Sequence, residues 1–556
     1  MKLPLPLFCL LTFCLFNCAH LRHRSDTPAQ QPAFRWENAT VYFLLTDRFN
    51  NGNTANDVHF DRKLPTGKLR GFLGGDLQGI TQKIREGYFD RLGVDAIWFT
   101  PVVEQTHGAV DEGTGATYGF HGYWTKDWTR LDPNFGTETD LAELVETAHR
   151  HGIRVVFDVV INHTGPVTAQ DPQWPDTWVR TQPTCRYTDY ASTISCTLVK
   201  NLPDVKTEND APVELPPFLL EKWKNEGRLE QELAELDTFF QRTGYPRAPR
   251  FYIIKWLTDY VRKYGLDGYR CDTAKHIEET VWAELRREAE RAFRDWKAAH
   301  PAAVLDDQEF YMVGEVYGYG ASAGRQYNFG DRQVDFFAQG FNSLINFEFK
   351  SDAQQPYETI FSKYHQLLQG PLLGKCVLNY LSSHDDGGPF DKTRVRPLEA
   401  GAKLLLAPGA AQIYYGDETN RLLDIPDTEG DATLRSFMNW DELATNATRN
   451  GYATRTVLEH WQKLGRFRKA HPAVGAGTHT MLTEQPYVFK RELAEGAYAD
   501  KVVVGLDLPA GVKSLPVAGV FANGAVLRDY YSGKKVRVRD GAVRIDSPYP
   551  LVLLGP

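Results

Sequence analysis

The chain has 556 residues, more than one ordinary domain needs and enough for a large barrel plus one or two smaller modules. Its composition, 42% hydrophobic and 24% charged, is globular, and a 12% aromatic share suits sugar-stacking surfaces as well as a large core. A formal net charge of −8 argues against a polyanionic partner such as nucleic acid.

Residues 1–17 hold one lysine, Lys2, and then an apolar run from Leu3 to Phe16. So short a run with a basic start suits an export signal better than a membrane-spanning helix. Leu15-Phe16-Asn17-Cys18 resembles a bacterial lipobox, in which Cys18 would be lipidated, although Asn17 replaces the usual small residue. Residues 18–35 then read as lipid anchor and polar tether with no core of their own. The expected location is exported, either periplasmic or held to a membrane only by that lipid; plain signal cleavage would instead give a soluble periplasmic or secreted protein. Of the remaining cysteines, Cys185 and Cys196 flank a polar loop and predict a disulfide in an oxidising compartment. Cys271 and Cys376 sit in apolar runs and read as buried small hydrophobes.

From 41 to 470, short apolar runs alternate with amphipathic stretches, a βα repeat that implies a parallel sheet. The strand candidates are 41–46, 95–100, 154–160 and 267–272, followed by 310–317, 342–349, 377–385 and 411–418. Helices are expected over 139–151, 252–264, 279–299, 351–369 and 453–470. Eight units predict a closed (β/α)8 barrel rather than an open sheet. The third and fourth strands lie more than a hundred residues apart, so an inserted subdomain is expected over 163–250, splitting the barrel into 36–162 and 251–470. From 471 to 556 the pattern changes to short alternating runs, which predict a small antiparallel β-domain, a sandwich in form.

Charged residues at the ends of apolar barrel strands are unusual, and barrel active sites lie at those ends. Asp158 closes the third strand, Arg270 and Asp272 the fourth, Glu315 the fifth and His384-Asp385 the seventh. Period-two alternation turns Arg270 and Asp272 to one side and Cys271 to the other. Several strand ends thus aim acids at one mouth, which surface or capping roles do not explain.

DVVINH (158–163), GYRCDTAKH (268–276), GEVY (314–317) and LSSHDD (381–386) resemble the four signature regions of glycoside hydrolase family 13, in order and on the matching strands. LPD (202–204) is similar to that family's fifth region and HGYW (121–124) to its substrate-stacking loop. The likeness covers nearly the whole mature chain and, among subgroups, points to bacterial periplasmic α-amylases. It implies a retaining hydrolase of α-1,4-glucosidic bonds in starch-like glucans and maltooligosaccharides. By motif Asp272 would be the nucleophile, Glu315 the general acid and then base, and Asp385 a grip on the sugar hydroxyls. A retaining pair must flank the anomeric carbon about 5–5.5 Å apart. Arg270 can hold Asp272 ionised, while Asp272 and Asp385 would push Glu315 upward. His163 and His384 would donate to the sugar, with His121 near them and Tyr123 stacked under the ring. Lys275 and His276 match the leaving-group side of members acting on α-1,4 bonds.

The resemblance also implies calcium, one or two structural ions. Asn162, Asp204 and the carbonyl of His276 match a site between barrel and insertion. NNGNTAND (50–57) with GGD (74–76) is similar to a loop of the cyclodextrin glucanotransferases, where Asn51, Asn53, Asn56, Asp57, Asp76 and the carbonyl of Gly74 would be ligands; calcium takes such oxygens. Asn51 replaces a carboxylate often present there. Two other functions use the same scaffold: a glucanotransferase passing the glucosyl unit to sugar, and a non-catalytic glycan-binding protein. Retention of all three acids disfavours the latter, and the absence of extra starch-binding domains after residue 556 favours hydrolysis. A monomer is expected.

Overall fold

The structure, a computed structural model, describes residues 33–111 and 113–556. The signal and lipobox readings, Cys18 included, lie outside the described residues. Eight parallel strands close into a barrel: β1 (Thr40–Leu44), β2 (Ala96–Phe99), β3 (Arg154–Val159), β4 (Gly268–Cys271), β5 (Tyr311–Gly314), β6 (Ser343–Asn346), β7 (Cys376–Tyr380) and β8 (Ala410–Tyr414). Each pairs with its neighbours in sequence, and β8 closes on β1 with Thr40 opposite Ala411. Every one of the eight runs expected from the sequence is a strand, but each is shorter than read, the fifth, sixth and seventh most of all. β5 stops at Gly314, one residue before Glu315, and β6 covers only 343–346. β7 stops at Tyr380, so Asp385 stands on a loop rather than on a strand end. That loop leaves the ladder where Ser382 donates to Asp417 at 2.6 Å.

The helices pack outside: α1 (Leu77–Arg85), α2 (Glu138–Arg150), α3 (Pro217–Asn225), α4 (Leu229–Thr243), α5 (Pro249–Tyr264), α6 (Glu279–Ala299), α7 (Tyr357–Gln369), α8 (Pro397–Leu405) and α9 (Thr454–Ala470). Their ends follow local chemistry. Thr137 and Asp140 form a capping box on α2, and α5 begins on Pro249, whose missing N–H is no loss at a first helical position. The helix expected over 351–369 is split: residues 351–352 end a short helix, Phe349–Asp352, and the long one begins at Tyr357, because Pro356 interrupts the ladder and disfavours helical backbone in the residue before it.

Residues 160–248, between β3 and α5, carry α3, α4 and a two-stranded ribbon that pairs Val179–Arg180 with Asp204–Val205. The expected Cys185–Cys196 disulfide is present, and Cys271 and Cys376 are buried and free. A tryptophan cluster fixes this segment to the barrel: Trp178 and Trp128 lie parallel to Trp256 of α5 at 6.1 and 6.3 Å. Residues 478–555 form a six-stranded antiparallel sheet and a two-stranded one around a separate core that includes Val503, Leu515, Val543 and Leu554. Among the described residues no helix is long and apolar enough to cross a membrane.

Candidate active site

A cavity of about 540 Å³ opens at the carboxyl ends of the barrel strands, lined by Asp272, Glu315 and Asp385 among others. Asp272 and Glu315 follow β4 and β5 directly, and their amides continue the ladder to Val159 and Cys271 at 3.0 Å. Beneath them lies Arg270, 1% exposed. Its Nη1 is 2.6 Å from Asp272 and 3.0 Å from Asp158, and its Nη2 is 3.1 Å from Glu315. One guanidinium therefore serves three buried carboxylates.

That imbalance shapes their protonation. Glu315 is pushed well above the ordinary carboxyl range, by burial first; Arg270 opposes this, and the charges of Asp272 and Asp385 add to it. Burial likewise raises Asp158 to about 6 against the pull of Arg270. Asp158 also accepts from the Trp98 indole and the Tyr123 hydroxyl, both at 2.9 Å. Glu315 accepts from the Thr273 amide at 2.8 Å, which Thr273 presents through a left-handed backbone (φ 48°).

The opposite wall is a stack of rings. Tyr123 lies nearly parallel to His384 at 5.3 Å and to His121 at 5.8 Å. Gly122 makes the turn between His121 and Tyr123: its φ is +91°, and a Cβ there would sit 2.2 Å from the Pro101 carbonyl. Burial, then the Arg435 cation, hold His121 and His384 well below the ordinary imidazole range, so each is neutral near pH 7. Lys275 and His276 line the cavity, Lys275 donating to the Tyr317 carbonyl at 3.0 Å and His276 Nδ1 facing the Thr193 carbonyl at 3.0 Å. His163 and Arg270 do not line it. His163 Nε2 faces the Tyr123 carbonyl at 3.1 Å, so this histidine supports the tyrosine from behind.

Three contributors went unread in the sequence, Thr273 although it lies within GYRCDTAKH. Thr273 gave no sign of its left-handed turn. Arg435, which donates to the His384 carbonyl at 2.9 Å and pairs with Asp431, comes from a long segment after β8 without periodicity. Tyr187 comes from the disulfide loop.

Of the expected calcium ligands, the outer atom of the Asn162 amide sits 2.8 Å from the His276 carbonyl and 3.3 Å from Asp204 Oδ1. With nitrogen there it donates to both; with oxygen there, three oxygens converge as they would on a cation. Burial pushes Asp204 up to about 9, opposed by Arg180, whose Nε lies 2.8 Å from Oδ2 without good hydrogen-bond alignment. Arg180 is a built-in counter-charge with no sequence motif. In the second group, Asn51 donates to Asp57 at 2.8 Å, and the buried Oδ1 atoms of Asn51 and Asn56 have no partner. A Cβ on Gly74 (φ +90°) would collide with both Asn51 and Asp57. Asp76 accepts from Gly52, Asn53 and Gly79 amides, and Asn53 accepts from Ala55 in its own turn. Orphaned acceptors beside two carboxylates fit calcium, although among the described residues no three His, Cys, Asp or Glu side chains converge as a metal-binding group.

The alpha-amylase catalytic-domain model matches residues 43–477. The periplasmic alpha-amylase of Escherichia coli K12 is 36% identical over 550 residues, covering 87% of this chain and 74% of that protein. A cyclomaltodextrin glucanotransferase of Thermoanaerobacterium thermosulfurigenes is 26% identical, covering 88% of this chain and 63% of its own length. Among solved structures, an Anoxybacillus alpha-amylase superposes with a TM-score of 0.64 at 24% identity, covering 94% of this chain and 99% of that one, a likeness of fold. The chain belongs to the alpha-amylase family of glycoside hydrolases and transferases.

Proposed function

We propose that this enzyme hydrolyses α-1,4-glucosidic bonds in starch-like glucans with retention, through a covalent glucosyl-enzyme. The carrying observation is the unequal sharing of Arg270: Asp272 lies at 2.6 Å, while Glu315 is pushed upward. An ionised acid beside a protonated one is the pairing that retention requires. Glu315 gives its proton to the glycosidic oxygen as Asp272 attacks the anomeric carbon, and the leaving sugar departs past Lys275 and His276. Water then enters, Glu315 takes its proton, and the oxygen displaces Asp272, restoring both carboxyls. Asp385 binds hydroxyls of the distorted ring, with His121 and His384 as neutral donors and Tyr123 stacked below.

Transfer to a sugar acceptor uses the same intermediate, and the glucanotransferase relatives keep it as the second reading. A time course on maltoheptaose separates the two: shorter products alone support hydrolysis, longer or cyclic ones transfer, and none would sink both. Calcium at Asn162, Asp204 and the His276 carbonyl would tie the insertion to the barrel, and at the Asn51–Asp76 cluster would brace the loop before α1. Export agrees with the location named for the Escherichia coli relative, and lipidation at Cys18 would retain the protein in membranes. We take it to act as a monomer.

A further inference from the structure

Tyr187 forms part of the cavity wall beside Lys275 and His276, and nothing in the steps above uses it. The residue is 52% exposed, and its ring meets His276 edge-on at 5.7 Å and lies 5.7 Å from Lys275 Nζ. The residue holds a left-handed backbone (φ 58°), which a bulky side chain rarely adopts unless its surroundings impose it. Those surroundings are the loop closed by Cys185 and Cys196. Within it Arg186 donates to the Ser192 carbonyl at 3.2 Å, and the Thr193 carbonyl reaches His276 Nδ1 at 3.0 Å. Its far side is held by Tyr190, whose amide donates to Asp331 at 2.8 Å and whose ring lies under Arg332.

An accessible ring flanked by hydrogen-bonding groups suits a pyranose, which offers an apolar C–H face and a rim of hydroxyls. Tyr187 touches Lys275 and His276 rather than the Tyr123–His384 stack, which places it on the side the leaving sugar occupies. We propose that Tyr187 is a stacking platform for glucose units beyond the scissile bond, and that the Cys185–Cys196 disulfide positions it. The inference rests on the α-1,4-glucan reading above. A dithiol reductant, giving up two electrons and two protons and closing its own disulfide, would convert the pair to two thiols and free the platform.

The test compares maltoheptaose with α-maltotriosyl fluoride, whose leaving fluoride needs no sugar platform. Steady-state constants are measured for wild type, Tyr187→Ala, Tyr187→Phe and Cys185→Ser/Cys196→Ser, with melting curves to verify folding. Tyr187→Ala is expected to raise KM for maltoheptaose about tenfold relative to KM for the fluoride, and Tyr187→Phe to stay within about twofold of wild type. The double serine variant should move the ratio the same way. Dithiothreitol should do so in wild type but not in that variant, and the wild-type half stands even if the serine protein does not fold. Parallel changes in both KM values, or a Phe variant as impaired as the Ala variant, would overturn stacking. A ratio unmoved by losing the disulfide would overturn its positioning role. Wild type that releases neither fluoride nor shorter sugars would instead refute the glucan reading itself.

Discussion

Arg270 and Arg180 each face more than one carboxylate, yet their surroundings differ. Arg270 faces Asp158, Asp272 and Glu315 on rigid strand ends under an open cavity. Arg180 faces Asp204 and Glu208 at the ribbon of the inserted segment. In both places carboxylates outnumber the arginine, three buried acids in the first and buried Asp204 with exposed Glu208 in the second, and burial raises Glu315 and Asp204 alike. Under the cavity the raised pKa of Glu315 favours a proton there, which the proposed reaction hands to substrate. At the ribbon, Asp204 does not line the active-site cavity, and the proposed calcium at Asn162, Asp204 and the His276 carbonyl would take that place. On the proposed reading, the first cluster serves chemistry where substrate can reach it and the second serves architecture.

The strongest way to break the comparison is at the acids of the first cluster. Asp272→Asn and Glu315→Gln should each lower kcat on maltoheptaose by at least about a thousandfold, some 4 kcal/mol of barrier, with melting curves near wild type. Retention of more than about a tenth of the turnover would remove either residue from its role.

Next come the arginines. Arg270→Met leaves three buried acids without a cation and should destabilise the fold by about 3–5 kcal/mol in denaturant titrations. Arg180→Met should cost less, because the Glu208 side chain is 40% exposed and can turn to water. Equal losses would contradict the distinction.

Calcium sharpens the second cluster. A cation bound only by the native state adds about 2.7 kcal/mol at a hundredfold excess over Kd. Chelation should therefore lower the melting temperature, but only in part, since Arg180 remains beside Asp204; Arg180→Met should make the fall larger. In metal-free protein the raised pKa of Asp204, about 9, has a definite sign. The native state holds a proton that the unfolded chain has lost, so this contribution is intact below about pH 4 and vanishes as pH rises through about 9. Metal-free protein, verified by elemental analysis, whose stability matches the calcium form and does not fall over that window would exclude the site.

The smallest expected effect is a shift in the pH profile. Glu315 must be protonated for the first step, so kcat/KM falls as pH rises through its pKa. Asp385→Asn removes a charge that raises that pKa, and the alkaline limb of the residual activity should move to lower pH, by up to about one unit. A limb that stays put would detach Asp385 from Glu315.

The barrel was legible because its strands are apolar runs bounded by amphipathic helices, and the acids because charged residues close those runs. Asp385 was legible as an acid of the cavity but not as a loop residue: LSSHDD reads as a continuing strand, whereas Ser382 turns to Asp417 and Arg435 holds the His384 carbonyl. The motif placed His163 near the site but not its contact with the Tyr123 carbonyl, a matter of side-chain direction that no spacing encodes. Arg180, Arg435 and Tyr187 come from long segments outside the βα repeat. There, position depends on tertiary contacts and a disulfide rather than on periodicity.

The division of labour between Asp272 and Glu315 is open to one direct measurement. Incubating Glu315→Gln with α-maltotriosyl fluoride supplies a leaving group that needs no acid, while the second step still lacks its base. The mass of the protein should rise by one maltotriosyl unit, mapped by proteolysis to the peptide carrying Asp272. Fluoride release without a labelled protein and with an inverted sugar product, or a label on any other residue, would contradict it.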